Sequence, residues 1–365
     1  MKSSAVAGRL TANAEAKRCL GLTGLIVTAA LIMLGLFGPV QGDRHSEDAG
    51  DRGLYAQVID QVHTGQPYDL AVVRDLRAIG GPTRPFVTVR PPLLATVMAA
   101  LPNEASRILS LRLLATAVLI AWFWRLRLAS PEPRHGWLLL LALASGVGMA
   151  LSPSAYLMHE TWAGLLIALS LALRTRERWL ASVLVATLAT LVRELAAPYL
   201  LVMIVFALAE RRSKEALGWV VGLAVFVGAL ARHAAVVDAL LLPSDHASPG
   251  WLMMGGWPFV LHAASWNLVT IFFPSAFLAC VFPLALLGLA AWRDALGRRV
   301  ALTVFCYVIA FVFAGRSVNF YWGLTMAPLW PMGVAMAPTG LALAGRWLTT
   351  EATSRVDSPP IDAPA

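Results

Sequence analysis

Apolar residues along the chain fall in blocks of roughly 15 to 25, the length that spans a bilayer core. The blocks cover 20–40, 105–124, 136–151, 160–173, 179–193, 195–209, 216–232, 267–291, 300–314 and 321–344. They predict an all-α, polytopic membrane protein with about ten transmembrane helices. One polar, charged stretch, Gly42–Arg90, interrupts the pattern between the first two blocks.

Inside that stretch Leu54, Tyr55, Val58, Ile59 and Val62 fall on one helical face, and Arg52, Gln57, Asp60 and Gln61 on the other. This predicts an amphipathic helix lying on the membrane surface, stopped by Gly65 before Pro67. A second short helix is expected around Leu70–Ile79, broken by Gly80-Gly81-Pro82. Pro91-Pro92 then opens Leu93–Leu101, too short to span and expected to lie at the interface. The layout predicts a single domain over 1–350 that includes the loop 41–103, with a disordered tail over 351–365.

Composition agrees with the pattern. The 365 residues are 58% hydrophobic and 14% charged, against about 25% charged in soluble domains. Arg125, Arg127 and Arg134 share one short loop. Arg174, Arg176 and Arg178 share another, Arg211, Arg212 and Lys214 a third, and Arg293, Arg298 and Arg299 a fourth. The positive-inside rule puts those loops and both termini in the cytoplasm and the Gly42–Arg90 loop outside. The formal charge of +8 is then loop charge, and no nucleic-acid partner is implied. Block 20–40 follows Lys2, Arg9, Lys17 and Arg18 and is expected to be a retained signal anchor. Cys19, Cys280 and Cys306 match no metal or disulfide spacing.

The external loop is the densest cluster of acids, bases, His and Tyr. Asp51 stands where an N-cap for the amphipathic helix is expected, and it is also a candidate general base, with Asp48 as the second. Further polar residues sit at the outer ends of the spans: His159 and Glu160, Arg193 and Glu194, Arg232 and His233, and Arg316 with Asn319. Arg112 lies within the second span. Such groups at the edge of a bilayer mark either interhelical pairing or a site. Arginine forks suit phosphate oxygens. Loop carboxylates above span-end arginines therefore suit a substrate with its phosphate at headgroup level and its tail in lipid, as in a polyprenyl-phosphate sugar.

At these residues the chain resembles the GT-C superfamily of integral-membrane glycosyltransferases. Asp51-Arg52-Gly53-Leu54-Tyr55 resembles a D-x-x-x-Y stretch, Gly65-Gln66-Pro67-Tyr68 a following G-x-P-Y, and Arg90-Pro91-Pro92-Leu93 the re-entry of the chain into the membrane. Arg193-Glu194 and the stretch Gly315–Gly323 look like motifs of bacterial members. Many branches have an Asp-Glu pair where this chain has Asp51-Arg52, which leaves the choice between Asp48 and Asp51 open. The resemblance implies a bacterial inner-membrane enzyme that transfers a sugar from a polyprenyl-phosphate donor to an acceptor hydroxyl with inversion. It implies Asp51 or Asp48 as base, Arg90, Arg193 and Arg316 at the phosphate, and Tyr55, His159, Glu160, Glu194 and Asn319 around the substrate. No cofactor is implied, and no ligand cluster demands a divalent metal. A transporter or flippase of lipid-linked glycans, or a non-catalytic envelope protein, is the alternative. His159-Glu160 begins a zincin motif, but Ala163 stands where its second His belongs.

Overall fold

The computed structural model describes residues 2–38, 48–129, 133–250 and 252–349. The side chains of 48–52 lie outside that description, as do the loop residues 39–47 and the tail expected over 351–365. Within the described residues the fold is all-helical, and the one extended pairing is an isolated bridge between Arg84 and Ala247. The helices run in order α1 (Lys2–Phe37), α2 (Asp48–His63), α3 (Tyr68–Ala78), α4 (Leu93–Ala99), α5 (Glu104–Ala129), α6 (Pro133–Val147) and α7 (His159–Leu173). They continue with α8 (Leu180–Val192), α9 (Ala197–Ala209), α10 (Ser213–Leu240), α11 (Gly256–Ala264), α12 (Ser275–Ala291), α13 (Ala295–Phe313) and α14 (Met332–Thr349).

Among the described residues four segments are long and apolar enough to cross a membrane: Glu15–Phe37, Glu104–Arg127, Ser213–Leu240 and Ala295–Phe313. The other apolar helices are shorter. α8 and α9 have 13 residues each, which rise only about 20 Å against a hydrocarbon core of about 30 Å. The blocks expected at 267–291 and 321–344 are not continuous helices. In the first, a 3-10 turn, Thr270–Phe272, comes before Pro274, and the α-helix starts at Ser275. The second divides into a 3-10 helix, Ser317–Thr325, and α14. α11 was not expected from the sequence.

The irregular segment after Ser317 can lie in the core because its neighbours present bare backbone. A Cβ on Gly323 would stand 1.8 Å from the Ala263 carbonyl oxygen of α11. A Cβ on Gly164 of α7 would stand 2.2 Å from the Leu324 oxygen. The segment is thus gripped between α7 and α11, with Phe320 stacked on His262 at 4.1 Å.

The loop before α5 folds as its periodicity predicts. α2 buries Leu54, Tyr55, Val58 and Ile59, each contributing about 1.5–3 kcal/mol of apolar burial, and it packs on α3 and α4. Gly65 ends the helix region at φ +95° and Gly80 follows α3 at φ +67°, backbone states that cost glycine little. α2 starts four residues earlier than expected, so Asp51 sits within its first turn and is not the N-cap. Arg107 of α5 fastens the loop from below: its guanidinium donates to Asp60 of α2 at 2.9 Å and to the Met98 carbonyl of α4 at 3.1 Å.

A second ion network ties the opposite ends of the helices. Arg174 donates to both oxygens of Glu215 at 2.9 and 3.0 Å, and Arg299 donates to Glu210 at 2.6 Å. Arg174 and Arg299, read from the sequence as loop charges, are buried pairing groups.

Candidate active site

A cavity of ≈ 430 Å³ opens between α2 and the segments that follow α8 and α13. Its wall gathers six of the residues singled out in the sequence: Tyr55, Arg90, Arg193, Glu194, Arg316 and Asn319. They come from four separate stretches of chain, and the fold positions each for a local reason.

Arg193 follows the last turn of α8, where the chain leaves the helix with φ −151° and ψ 119°. Glu194–Ala196 then forms a 3-10 turn before Pro198 in the first turn of α9. This break aims Arg193 inward. Its Nε donates to Glu160 Oε1 at 2.7 Å, and its Nη1 reaches Glu194. Both the Arg193 and the Glu160 side chains are 2% exposed.

Glu160, in the first turn of α7, does not line the cavity. It lies behind the wall as the counterion of two arginines, since Arg90 Nη2 also approaches it at 3.7 Å. His159 is beside it, buried, with its ring edge-on to Tyr55 at 5.2 Å between centroids.

Arg90 is held by two tyrosines. Its carbonyl accepts from the Tyr68 hydroxyl at 2.7 Å, and its Nη2 donates to the Tyr321 hydroxyl at 2.8 Å. Its guanidinium also lies over the Tyr321 ring, 5.7 Å from the centroid. Burial pushes the Tyr68 hydroxyl well above the ordinary tyrosine range, so it stays a proton donor to that carbonyl.

Arg316 differs from the other two arginines. It is half-buried, and its Nη1 donates to Ser248 Oγ at 3.4 Å. No carboxylate among the described residues pairs with it. On the same segment Asn319 Nδ2 and Trp322 Nε1 are buried donors without a hydrogen-bond partner, and both residues line the cavity. Three arginines stand against the two carboxylates of Glu160 and Glu194, so these five groups carry one excess positive charge.

Sequence reasoning missed several wall residues. Tyr321 and Trp322 lay inside the Gly315–Gly323 stretch but were not singled out. Ser248 arrives on a loop with no apolar period to mark it. That loop is fixed to the external segment by backbone bonds from Thr83 to His246 at 3.1 Å and from Ser248 to Arg84 at 2.6 Å. Bidentate pairing of Arg77 with Asp245 at 2.6 and 2.8 Å adds to this.

The candidate bases Asp48 and Asp51 belong to the first turn of α2, and their side chains lie outside the described residues. Among the described residues no three His, Cys, Asp or Glu side chains come together as metal ligands. No protein-family model, curated protein or solved structure matches the chain.

Proposed function

We propose that this protein is an integral-membrane glycosyltransferase of the GT-C type. It moves a sugar from a polyprenyl-phosphate donor to an acceptor hydroxyl at the outer face of a bacterial inner membrane. The supporting observation is the convergence of Arg90, Arg193 and Arg316 on one cavity beneath the amphipathic helix α2. In this reading the short helices complete about ten crossings together with the four long ones, and both termini are cytoplasmic.

The chemistry follows from charge placement. Positions 51 and 48 precede Tyr55, a cavity residue, by four and seven residues, spacings that recur on one stripe of a helix. A carboxylate there accepts the proton of the acceptor hydroxyl. The freed oxygen attacks the anomeric carbon, the bond from that carbon to the phosphate oxygen breaks, and the polyprenyl phosphate leaves with inversion. Charge grows on the leaving phosphate, where fixed guanidiniums stabilise it without reorganising. Arg316 is the fork with most freedom to meet it, because Arg193 is already engaged by two carboxylates. Asn319 and Trp322 supply neutral donors to the same oxygens or to the sugar.

The test is transfer of labelled mannose, glucose or arabinose from polyprenyl phosphate by membranes carrying the wild type, Asp51→Asn or Asp48→Asn. One variant is expected to lose transfer by about 100-fold or more, the scale of a lost general base. Full activity in both variants removes the proposed base. Binding of the donor without any transfer points instead to the non-catalytic or translocating role.

A further inference from the structure

A second cavity, ≈ 620 Å³, shares a chain segment with the first: Thr88 and Arg90 line one, and Pro91, Pro92 and Leu93 line the other. Its remaining wall is largely apolar, with Leu191 of α8 and Phe226 and Leu230 of α10. Three ionisable residues interrupt it: Asp69, Arg232 and His233.

Two of these leave buried atoms unserved. His233, whose side chain is 5% exposed, has Nε2 2.9 Å from the Val89 carbonyl oxygen. A carbonyl only accepts, so Nε2 carries the hydrogen, and in the neutral imidazole Nδ1 is a lone pair. Nδ1 faces Asp69 Oδ1 at 3.8 Å, too far for a hydrogen bond. Both atoms are buried and have no hydrogen-bond partner. With the imidazole neutral, the two acceptors placed face to face call for a group that donates at least two hydrogens, and the carboxylate favours a cationic one.

Arg232 supplies the complementary charge. It is exposed beside His233, and no carboxylate among the described residues pairs with it. Its depth also fits a headgroup. α10 starts at Ser213, and the 19 residues from there to Arg232 rise about 28 Å, close to one hydrocarbon thickness of about 30 Å. The outward face of the same helix is apolar, with Val220, Val221, Val225 and Val227 exposed.

We propose that this second cavity binds an aminophospholipid of the ethanolamine type. Its primary ammonium donates to Asp69 Oδ1 and His233 Nδ1, its phosphate meets Arg232, and one acyl chain lies along Leu93, Leu191, Phe226 and Leu230. A choline headgroup has no N–H and leaves both acceptors unserved. A glycerol headgroup offers hydroxyl donors but no positive charge for Asp69. The assignment is independent of sugar transfer and stands or falls without it.

The test is binding of phosphatidylethanolamine, phosphatidylcholine and phosphatidylglycerol of identical acyl chains to the purified full-length protein in detergent. Native mass spectrometry and thermal stabilisation provide the two readouts. The ethanolamine lipid is expected to bind about tenfold tighter than the choline lipid, the scale of one charge-assisted hydrogen bond. Asp69→Asn keeps the side-chain shape and is expected to abolish that preference. Arg232→Gln, at an exposed position, is expected to weaken all three lipids alike. Equal binding of the ethanolamine and choline lipids by the wild type, as when water alone serves the pair, overturns the proposal. So does a preference that survives Asp69→Asn, or tighter binding of the glycerol lipid than of the ethanolamine lipid.

Discussion

Arg193 Nε and Glu160 Oε1 lie 2.7 Å apart, 33 residues apart in sequence and both almost wholly buried. The pair joins the broken end of α8 to the start of α7. It places a guanidinium at the wall of the arginine-lined cavity and its counterion just behind.

Glu160→Gln tests that pair. The substitution leaves Arg193 with Glu194 as its remaining carboxylate and takes the nearest carboxylate from Arg90, both in a buried setting. Removing one partner of a buried ion pair typically costs about 3–5 kcal/mol. The variant is expected to unfold at clearly lower temperature in detergent than the wild type, as followed by circular dichroism. An unchanged melting temperature contradicts the role given to Glu160.

Arg316→Gln asks a different question, because this arginine has no carboxylate to leave unpaired. The variant is expected to keep the wild-type melting temperature yet bind polyprenyl phosphate about tenfold or more weakly, the scale of a lost charged hydrogen bond. Arg316→Lys is expected to recover only part of the affinity, since an ammonium cannot make the planar fork. Titration of the lipid phosphate against each variant reads the result directly.

Gly323→Ala probes the grip on the irregular segment. The added carbon would stand 1.8 Å from the Ala263 carbonyl oxygen, so backbone has to move. Overpacking of this kind costs about 1–3 kcal/mol or more. Loss of thermal stability is expected, and with it weaker substrate binding, because Arg316, Asn319 and Trp322 ride on the same segment. Gly53→Ala, where a Cβ meets nothing within 4 Å, is the control expected to stay near wild-type stability.

Acid is expected to loosen the loop that carries Ser248. The hydrogen bond from Arg77, helped by the Leu242 N–H, holds the Asp245 carboxyl well below its ordinary range. A depressed folded-state pKa gives a contribution that is fully present above the unfolded value, about 3.9 for Asp. That contribution is lost as pH falls through the folded value. Amide exchange over 241–250 should therefore be slow at neutral pH in the wild type and fast in Asp245→Asn. The two proteins should converge in strong acid. Equal protection of both at neutral pH removes the link between this pair and the loop.

Much of the external segment was legible before the structure. The stripe Leu54, Tyr55, Val58 and Ile59 marked α2, and Gly65 and Gly80 marked its turns, because amphipathic period and left-handed backbone are local properties. Of the wall residues, Arg193, Glu194, Arg316 and Asn319 were found because polar groups at the ends of apolar blocks stand out against hydrocarbon, and Tyr55 and Arg90 through the motif resemblance. The contribution of Tyr321, Trp322 and Ser248 was not legible. An aromatic in an apolar run carries no mark of which surface it faces, and a polar loop carries no mark of where it docks.

The sequence by itself determined the helical class, the membrane-length apolar segments and the amphipathic helix that carries Leu54 to Val62, because each follows from periodicity and from the cost of exposing backbone or charge to an apolar setting. The tertiary structure alone decided that Arg90, Arg193 and Arg316 share one cavity, that Glu160 is their buried counterion, and that 321–344 breaks near Met326. Those outcomes depend on contacts between chain segments far apart in sequence. The close approach of Gly323 to Ala263 and the meeting of α7 with the end of α8 are set by shape complementarity, to which no local pattern of residues is sensitive.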